Sequence, residues 1–357
     1  MRVSVVDPAA YTPPYDRALC AALVRAGAEV ELVTAAFAHG EVPAADGFAV
    51  REDFYRLAPG GRGRRLGRLL SHVPDMLRAS RRRADVVHFQ WLAVQQLDVQ
   101  LVRAFRRPRV LTAHDVLPRE ALPGQRAAQR RLCDRMDAIV VHSEHGRARL
   151  VDELALDPAR VHVIPHGIMR PAGEAPLPAE LPAFDGPVAL CFGLLRPYKG
   201  IDVLLEAWRG ITGAELWVVG APRMDTAPLR AAAPPGVHFV ERFVTEGEAA
   251  ALFRRADLAV LPYREIDQSG VLFTALAFSV PLILTAVGGF PEIAKHGAAT
   301  LVPPNDPDAL RTALASLLAH PERRAQLAAA ATALAGERHS WAAIARAHLE
   351  LYETLLP

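Results

Sequence analysis

Lys199 is one of two lysines in a chain of 357 residues that carries 39 arginines. A composition this skewed uses arginine wherever a guanidinium serves, so a surviving lysine marks a place where a compact ammonium fits and a wide planar fork does not. Lys199 stands in Phe192-Gly193-Leu194-Leu195-Arg196-Pro197-Tyr198-Lys199-Gly200, after the apolar run 187–192 and before a helical pattern over 201–208. Two cations on a glycine-bearing turn between a strand and a helix suit a diphosphate. A second anion site is expected where Gln268, Ser269 and Gly270 lead into a helix over about 271–278. Unpaired N–H groups and the helix dipole favour negative charge there. Gly220, after the run 214–219, and Gly288-Gly289, after 281–285, let backbone approach a ligand closely. Glu292 just beyond them can hold hydroxyls.

The first half of the chain offers a different set. His114 and Asp115 follow the apolar run 109–113. A histidine there can donate to a phosphate, position an acceptor hydroxyl or shuttle a proton near neutrality. Gln90 and Trp91 follow the run 85–89 and pair a polar group with a platform for a sugar ring. Other chemistry is not supported. Gly61-Arg62-Gly63 with Gly67 has the wrong spacing for a dinucleotide fingerprint, and no Walker motif is present. His142 and His145 have no evident third ligand, so no metal site is expected. No serine elbow between glycines occurs.

The elements that must hold these groups alternate. Apolar runs at 3–6, 29–34, 85–89, 109–113, 137–142 and 161–164 read as buried parallel strands, with helical patterns such as 15–25 and 144–154 between them. The scheme repeats at 187–192, 214–219, 237–240, 257–261, 281–285 and 299–302. Such alternation predicts doubly wound α/β domains, whose ligands lie beyond the carboxyl ends of the strands. Thr245-Glu246-Gly247-Glu248 is a capping box, and Asp306-Pro307 opens another helix. Residues 169–187 hold five prolines and read as a linker. The expected division is therefore a first domain over 1–168, a linker over 169–187, a second domain over 188–337, and an amphipathic C-terminal helix within 338–357 that returns to the first domain.

An apolar content of 51% and a charged content of 22% describe a soluble globular chain. Cys20, Cys133 and Cys191 are scattered and odd in number, which fits a reducing compartment. With no leader or spanning segment read at the sequence level, a cytoplasmic protein is expected, peripheral on the inner face of a membrane. The net charge of +2 is unevenly placed: residues 51–135 hold 19 basic against 8 acidic side chains, with Arg62, Arg64, Arg65, Arg68, Arg81, Arg82 and Arg83 as a first cluster. Such a patch attracts phosphates or an anionic membrane. No nucleic-acid motif or aromatic stacking platform accompanies it.

Taken together, Phe192-Gly193 through Lys199-Gly200, Gln268-Ser269-Gly270 through Ala275-Leu276-Ala277 to Pro281, Gly288-Gly289-x-Pro-Glu292, and the stretch ending Ile164-Pro165-His166-Gly167 resemble glycosyltransferase family 4 over essentially the whole chain. The resemblance implies the GT-B architecture: two Rossmann-like doubly wound domains facing across a cleft. It implies a donor of the UDP- or GDP-sugar kind, transferred with retention and without a bound metal or other cofactor. Arg196 and Lys199 would hold the diphosphate, helped by the N–H groups near Ser269 and Gly270. His114 would stand near the reacting sugar, and Tyr15, Gln90, Trp91 and Asp115 would serve a saccharide or lipid-linked acceptor. The family's two glutamates, eight positions apart, fall here at Ile266 and Thr274; Glu265 or Asp267 could replace the first, and Thr274 would make a weaker ribose contact. The loop Tyr11-Thr12-Pro13-Pro14-Tyr15 lacks the glycine pair of many relatives. Two other activities fit the same pattern: a sugar-nucleotide-binding protein that has lost its chemistry, and a sugar-nucleotide epimerase of the same fold.

Overall fold

The computed structural model describes residues 1–37, 42, 44–56, 64–92, 94–116 and 124–357, with the side chains of residues 64 and 65 excepted. Gly61, Arg62 and Gly63 therefore lie outside the described residues, as do the side chains of Arg64 and Arg65. The chain forms two compact units, Met1–Gly167 with Ser340–Pro357, and Ile168–His339.

In the first unit, β1 (Arg2–Asp7), β2 (Glu29–Ala35), β3 (Ala49–Phe54), β4 (Val86–Phe89), β5 (Arg109–Thr112), β6 (Ala138–Val141) and β7 (Val161–Val163) form a sheet in the order β3-β2-β1-β4-β5-β6-β7. Every pairing is parallel. The central strands are apolar runs because helices cover both faces and leave no solvent side. Those helices are α1 (Pro13–Arg25), α2 (Arg64–Ser80), α3 (Gln95–Leu101), α4 (Gln125–Cys133), α5 (Glu144–Leu154) and a C-terminal helix, Trp341–Leu355, that lies against α1. Ser143 caps α5 by accepting from the Gly146 N–H at 3.0 Å.

In the second unit, β8 (Val188–Phe192), β9 (Glu215–Val219), β10 (Val237–Val240), β11 (Leu258–Leu261), β12 (Leu282–Thr285) and β13 (Ala299–Val302) form a parallel sheet in the order β10-β9-β8-β11-β12-β13. Around it lie α6 (Ile201–Trp208), α7 (Ala227–Ala232), α8 (Glu246–Arg255), α9 (Gly270–Ala277), α10 (Phe290–Ala294), α11 (Pro307–Ala319) and α12 (Pro321–Gly336). The capping box at Thr245 is complete, with Glu248 closing back on the Thr245 N–H at 2.8 Å. Residues 169–187 run along this unit rather than as a free tether: Met169, Leu177, Leu181 and Phe184 pack on its core.

The chain order reverses between β1 and β4 in one sheet and between β8 and β11 in the other. At such a switch point the following loops diverge and open a crevice at the carboxyl ends. The segments after β8 and β11 carry Gly193 to Lys199 and Arg264 to Gly270; those after β1, β4 and β5 carry Tyr11 and Thr12, Gln90 and Trp91, and His114.

Candidate functional site

In the second unit the turn after β8 is built around two glycines. Gly193 has φ of +97°, and a Cβ on it would stand 2.8 Å from Lys199 Nζ and 3.0 Å from Val271 Cγ2. The ammonium and the first turn of α9 therefore meet at this glycine. Lys199 is 3% exposed, and its Nζ donates to the Phe192 carbonyl at 2.9 Å and lies 5.1 Å above the Tyr263 ring. The carbonyl and the ring stabilise the charge of a buried ammonium at the end of this strand. Gly200, at φ of +65°, comes so close to the Pro262 carbonyl that a Cβ would overlap its oxygen at 2.1 Å. Arg264 fastens the same join. Its backbone N–H donates to Tyr198 O at 2.7 Å, and its guanidinium donates to Pro197 O at 2.7 Å, Asp202 Oδ2 at 2.6 Å and Asn305 Oδ1 at 2.9 Å. Sequence reasoning passed over Arg264 as one arginine among 39; its place directly after β11 was the available signal.

The other expected donor residues gather around this cradle unequally. Gly220 lies against the Gly193 carbonyl, and Gly288 lies against the carbonyls of Ile266 and Asp267, the second of which accepts from Gly289 N–H at 3.2 Å. Ser269 is buried and opens α9 without a side-chain cap bond; its N–H lies 3.3 Å from Gln268 Oε1. Gly270 is exposed, and Glu292 is half-buried. Asp267 is buried and Glu265 exposed, so the two acids stand in different surroundings. The Thr274 hydroxyl donates to the Gly270 carbonyl at 3.1 Å, a helix back-bond that takes its hydrogen. Arg196 is exposed and borders a separate hollow of about 250 Å³ with Pro197, Ile201, Asp202, Met224 and Arg264, a hollow that Lys199 does not line. The two expected cations therefore stand in different surroundings, Arg196 exposed on the turn and Lys199 buried within it.

In the first unit the post-strand residues form a stack of rings. Trp91 lies on His114 with centroids 4.9 Å apart and planes 11° from parallel, and Tyr11 packs on Trp91 at 4.5 Å. Trp91 Nε1 donates to Thr12 Oγ1 at 2.9 Å, and the Thr12 loop is held by Asp7, whose carboxylate accepts from the N–H groups of Ala9 at 3.1 Å and Tyr11 at 2.7 Å. Tyr15 meets His114, His142, His166 and Trp341 at 4.8–5.7 Å. His114 Nε2 stands 3.0 Å from the Gln90 carboxamide, and its Nδ1 stands 3.2 Å from His142 Nε2. Behind them His88 is buried between Tyr352 OH at 2.6 Å and Thr112 Oγ1 at 2.7 Å. Burial first, then the neighbouring imidazoles of His142, His166 and His88, holds His114 well below the ordinary imidazole range, so it is neutral at pH 7.

Tyr15 is 2% exposed and Gln90 is 1% exposed. Tyr15 is the hub of the ring cluster, and Gln90 braces His114. Trp91 is half-buried and Asp115 exposed. His142 was passed over because it was weighed only as a metal ligand. It follows β6 as His114 follows β5, so the rule that found one finds the other. Among the described residues no group of three or more side chains is placed to hold a metal ion.

Residues 17–169 match the family model described as Glycosyltransferase Family 4, and residues 186–320 match that described as Glycosyl transferases group 1. A D-inositol 3-phosphate glycosyltransferase of Xylanimonas cellulosilytica is 29% identical over 94% of this chain and 89% of its own. Among solved structures, sucrose-phosphate synthase from Thermosynechococcus elongatus is similar with a TM-score of 0.77, at 20% identity over 99% of both chains. Anabaena Alr3699/HepE in complex with UDP and glucose is similar with a TM-score of 0.73, at 18% identity over 99% of this chain and 100% of that one.

Proposed function

Because the chain belongs to glycosyltransferase family 4 and has the GT-B fold, we propose that this nucleotide-sugar glycosyltransferase moves its sugar, with retention and without a metal, to a hydroxyl of a saccharide or lipid-linked acceptor. One observation carries the proposal: the buried Lys199 ammonium beside Gly193 and the first turn of α9. Charge grows on a nucleoside diphosphate as it leaves. A fixed cation and a helix start stabilise that charge without rearranging, and removing one such donor typically costs ~3 kcal/mol of transition-state stabilisation. The relative named for inositol 3-phosphate supports an acceptor hydroxyl on a polyol or saccharide. On this reading His114, a neutral imidazole stacked under Trp91, meets the hydroxyl groups at the reaction centre.

The test is a panel of UDP- and GDP-sugars with inositol phosphates, saccharides and membrane fractions as acceptors, run with and without a chelator. Release of nucleoside diphosphate, unchanged by the chelator, and a product with the donor's anomeric configuration by NMR are expected. No turnover with any pair removes the transfer reading. A second reading, donor binding without transfer, is favoured by Thr274, which has no carboxylate and spends its hydroxyl hydrogen on α9; binding of a sugar nucleotide with no product across the same panel is its signature.

The basic N-terminal region and the outward face of α2 support contact with an anionic membrane. Arg81, Arg83, Arg106 and Arg107 are exposed, whereas Arg82 is taken up by Glu31 at 2.7 Å and by Asp53. Among the described residues no helix is long and apolar enough to cross a membrane.

A further inference from the structure

The chain leads into β5 through Arg103-Ala104-Phe105-Arg106-Arg107-Pro108-Arg109, four arginines in seven residues. Three anchors fix the backbone of this segment. The Phe105 ring is buried and packs edge-on against Phe89 at 5.1 Å. The Pro108 carbonyl accepts from the Val87 N–H at 2.9 Å, and the Arg109 N–H donates to Asp137 Oδ2 at 2.7 Å. The side chains between the anchors stand differently. Arg106 and Arg107 are both exposed, and among the described residues neither has a hydrogen-bond or ion-pair partner. Arg103 is exposed and donates only to the neutral Gln100 carboxamide, at 3.3 Å.

These arginines line a hollow of about 600 Å³, walled on another side by Thr354 and Leu355 at the end of the C-terminal helix. One carboxylate lines it, Asp137, and Arg109 already occupies that group through its N–H at 2.7 Å and its Nε at 3.2 Å. Four arginines against one aspartate leave the lining at +3. Like charges gathered on a concave wall raise the local potential and concentrate anions. A guanidinium fork matches two phosphate oxygens, and its charge persists at any physiological pH. The volume is that of a small-ligand site. We propose that this hollow binds a multiply charged phosphate, a phosphomonoester or a diphosphate, gripped by Arg103, Arg106 and Arg107.

The hollow lies at the amino end of β5, whereas His114 follows the carboxyl end of the same strand. The five residues from Arg109 to His114, at about 3.3 Å each, span roughly 16 Å, so a phosphate held here does not touch the imidazole. It is a site of its own, and it stands whether or not the chain transfers a sugar. Such a phosphate has two sources, a soluble phosphate ester and the headgroup of a lipid.

The test is calorimetric titration of inorganic pyrophosphate, with a chelator present, into the full-length Lys199→Met chain, which lacks the ammonium of the other expected diphosphate site. Binding is expected, with Kd raised roughly tenfold or more when Arg106→Gln and Arg107→Gln are added, as for loss of hydrogen bonds to a charged group. Both positions are exposed, so the glutamines leave the core untouched. Arg81→Gln with Arg83→Gln removes the same charge from exposed residues that do not line the hollow. At about 0.1 M salt, where charges farther off are screened, that pair is expected to leave Kd nearly unchanged. No binding, an unchanged Kd in the Arg106, Arg107 pair, or an equal loss in the two pairs overturns the proposal. Flotation with phosphatidylcholine vesicles carrying phosphatidic acid then separates the sources. Flotation abolished by the Arg106, Arg107 pair and not by the Arg81, Arg83 pair places the phosphate on a lipid. Pyrophosphate binding without flotation, or with flotation that the Arg106, Arg107 pair leaves unchanged, makes the ligand a soluble phosphate ester.

Discussion

Single side chains in the first unit carry unusual charge states. Burial, then the charge of Asp7 and a hydrogen bond to it, holds the Asp16 carboxyl well above the usual carboxylate range; burial also raises Asp7, and the pair shares one proton. His88 and His114 are held well below the ordinary imidazole range and His348 falls to about 4, in each case chiefly through burial. The two kinds of group act on stability in opposite senses. The imidazoles bind fewer protons folded than unfolded, so their contribution is complete above pH ~6.5 and declines as pH falls below it, by up to ~1.4 kcal/mol per pH unit for each group. Asp16 binds its proton in the folded state while the unfolded chain is ionised. Its contribution is complete below pH ~4 and is lost as pH rises. Three imidazoles outweigh one shared proton, so urea melts are expected to show stability falling from pH 7 to pH 5. Asp16→Asn keeps a donor for Asp7 and removes the ionisable group. It should match or exceed wild-type stability at pH 8, and a loss of more than ~1 kcal/mol there would mean that the pair is ionised and otherwise satisfied.

Among the elements, α2 is turned the unexpected way. Its inward face carries His72, which bonds Asp98 at 2.6 Å and Tyr55 OH at 2.9 Å in full burial, beside Met76. Its outward face carries Leu66, Leu69, Leu70, Val73 and Leu77, with Leu66 63% and Leu70 69% exposed. An apolar stripe of this length on solvent, with arginines at both ends of the helix, is the pattern of an interfacial helix. Flotation with anionic vesicles is expected at low salt and should weaken as salt rises. A Leu66→Ser, Leu70→Ser variant should stay with the protein fraction, and equal flotation of variant and wild type would exclude α2 as the contact. The sequence made most elements legible. The strands from β4 to β13 are apolar runs because both sheet faces are covered, and their ends agree with expectation to within a residue or two. β3, with Arg51, Glu52 and Asp53, is an edge strand whose charges hide its period, and α2 escaped because its polar face is the buried one.

At the scale of the molecule, each unit carries a candidate site at its own switch point: the buried Lys199 ammonium and a ring-and-imidazole cluster at His114. The rarity of lysine singled out Lys199, and the rule of looking beyond strand ends singled out His114. What the sequence hid was pairing across elements. Nothing in the string links Arg264 to Pro197, His142 to the Ile164 carbonyl, or Tyr352 to His88, since each bond depends on which strand lies beside which. The exposure of Arg196 was hidden for the same reason, because a turn's handedness decides where successive side chains go. The central claim is that the second unit grips a diphosphate through Lys199. Calorimetric titration of UDP and GDP into the wild-type chain and into Lys199→Met, both in the presence of a chelator, tests it most directly. One nucleotide should bind wild type, with Kd raised roughly 30- to 100-fold in the variant, as expected for loss of a charged hydrogen bond worth ~2–3 kcal/mol. Equal affinity in the two proteins, or no binding of either nucleotide to wild type, would contradict it.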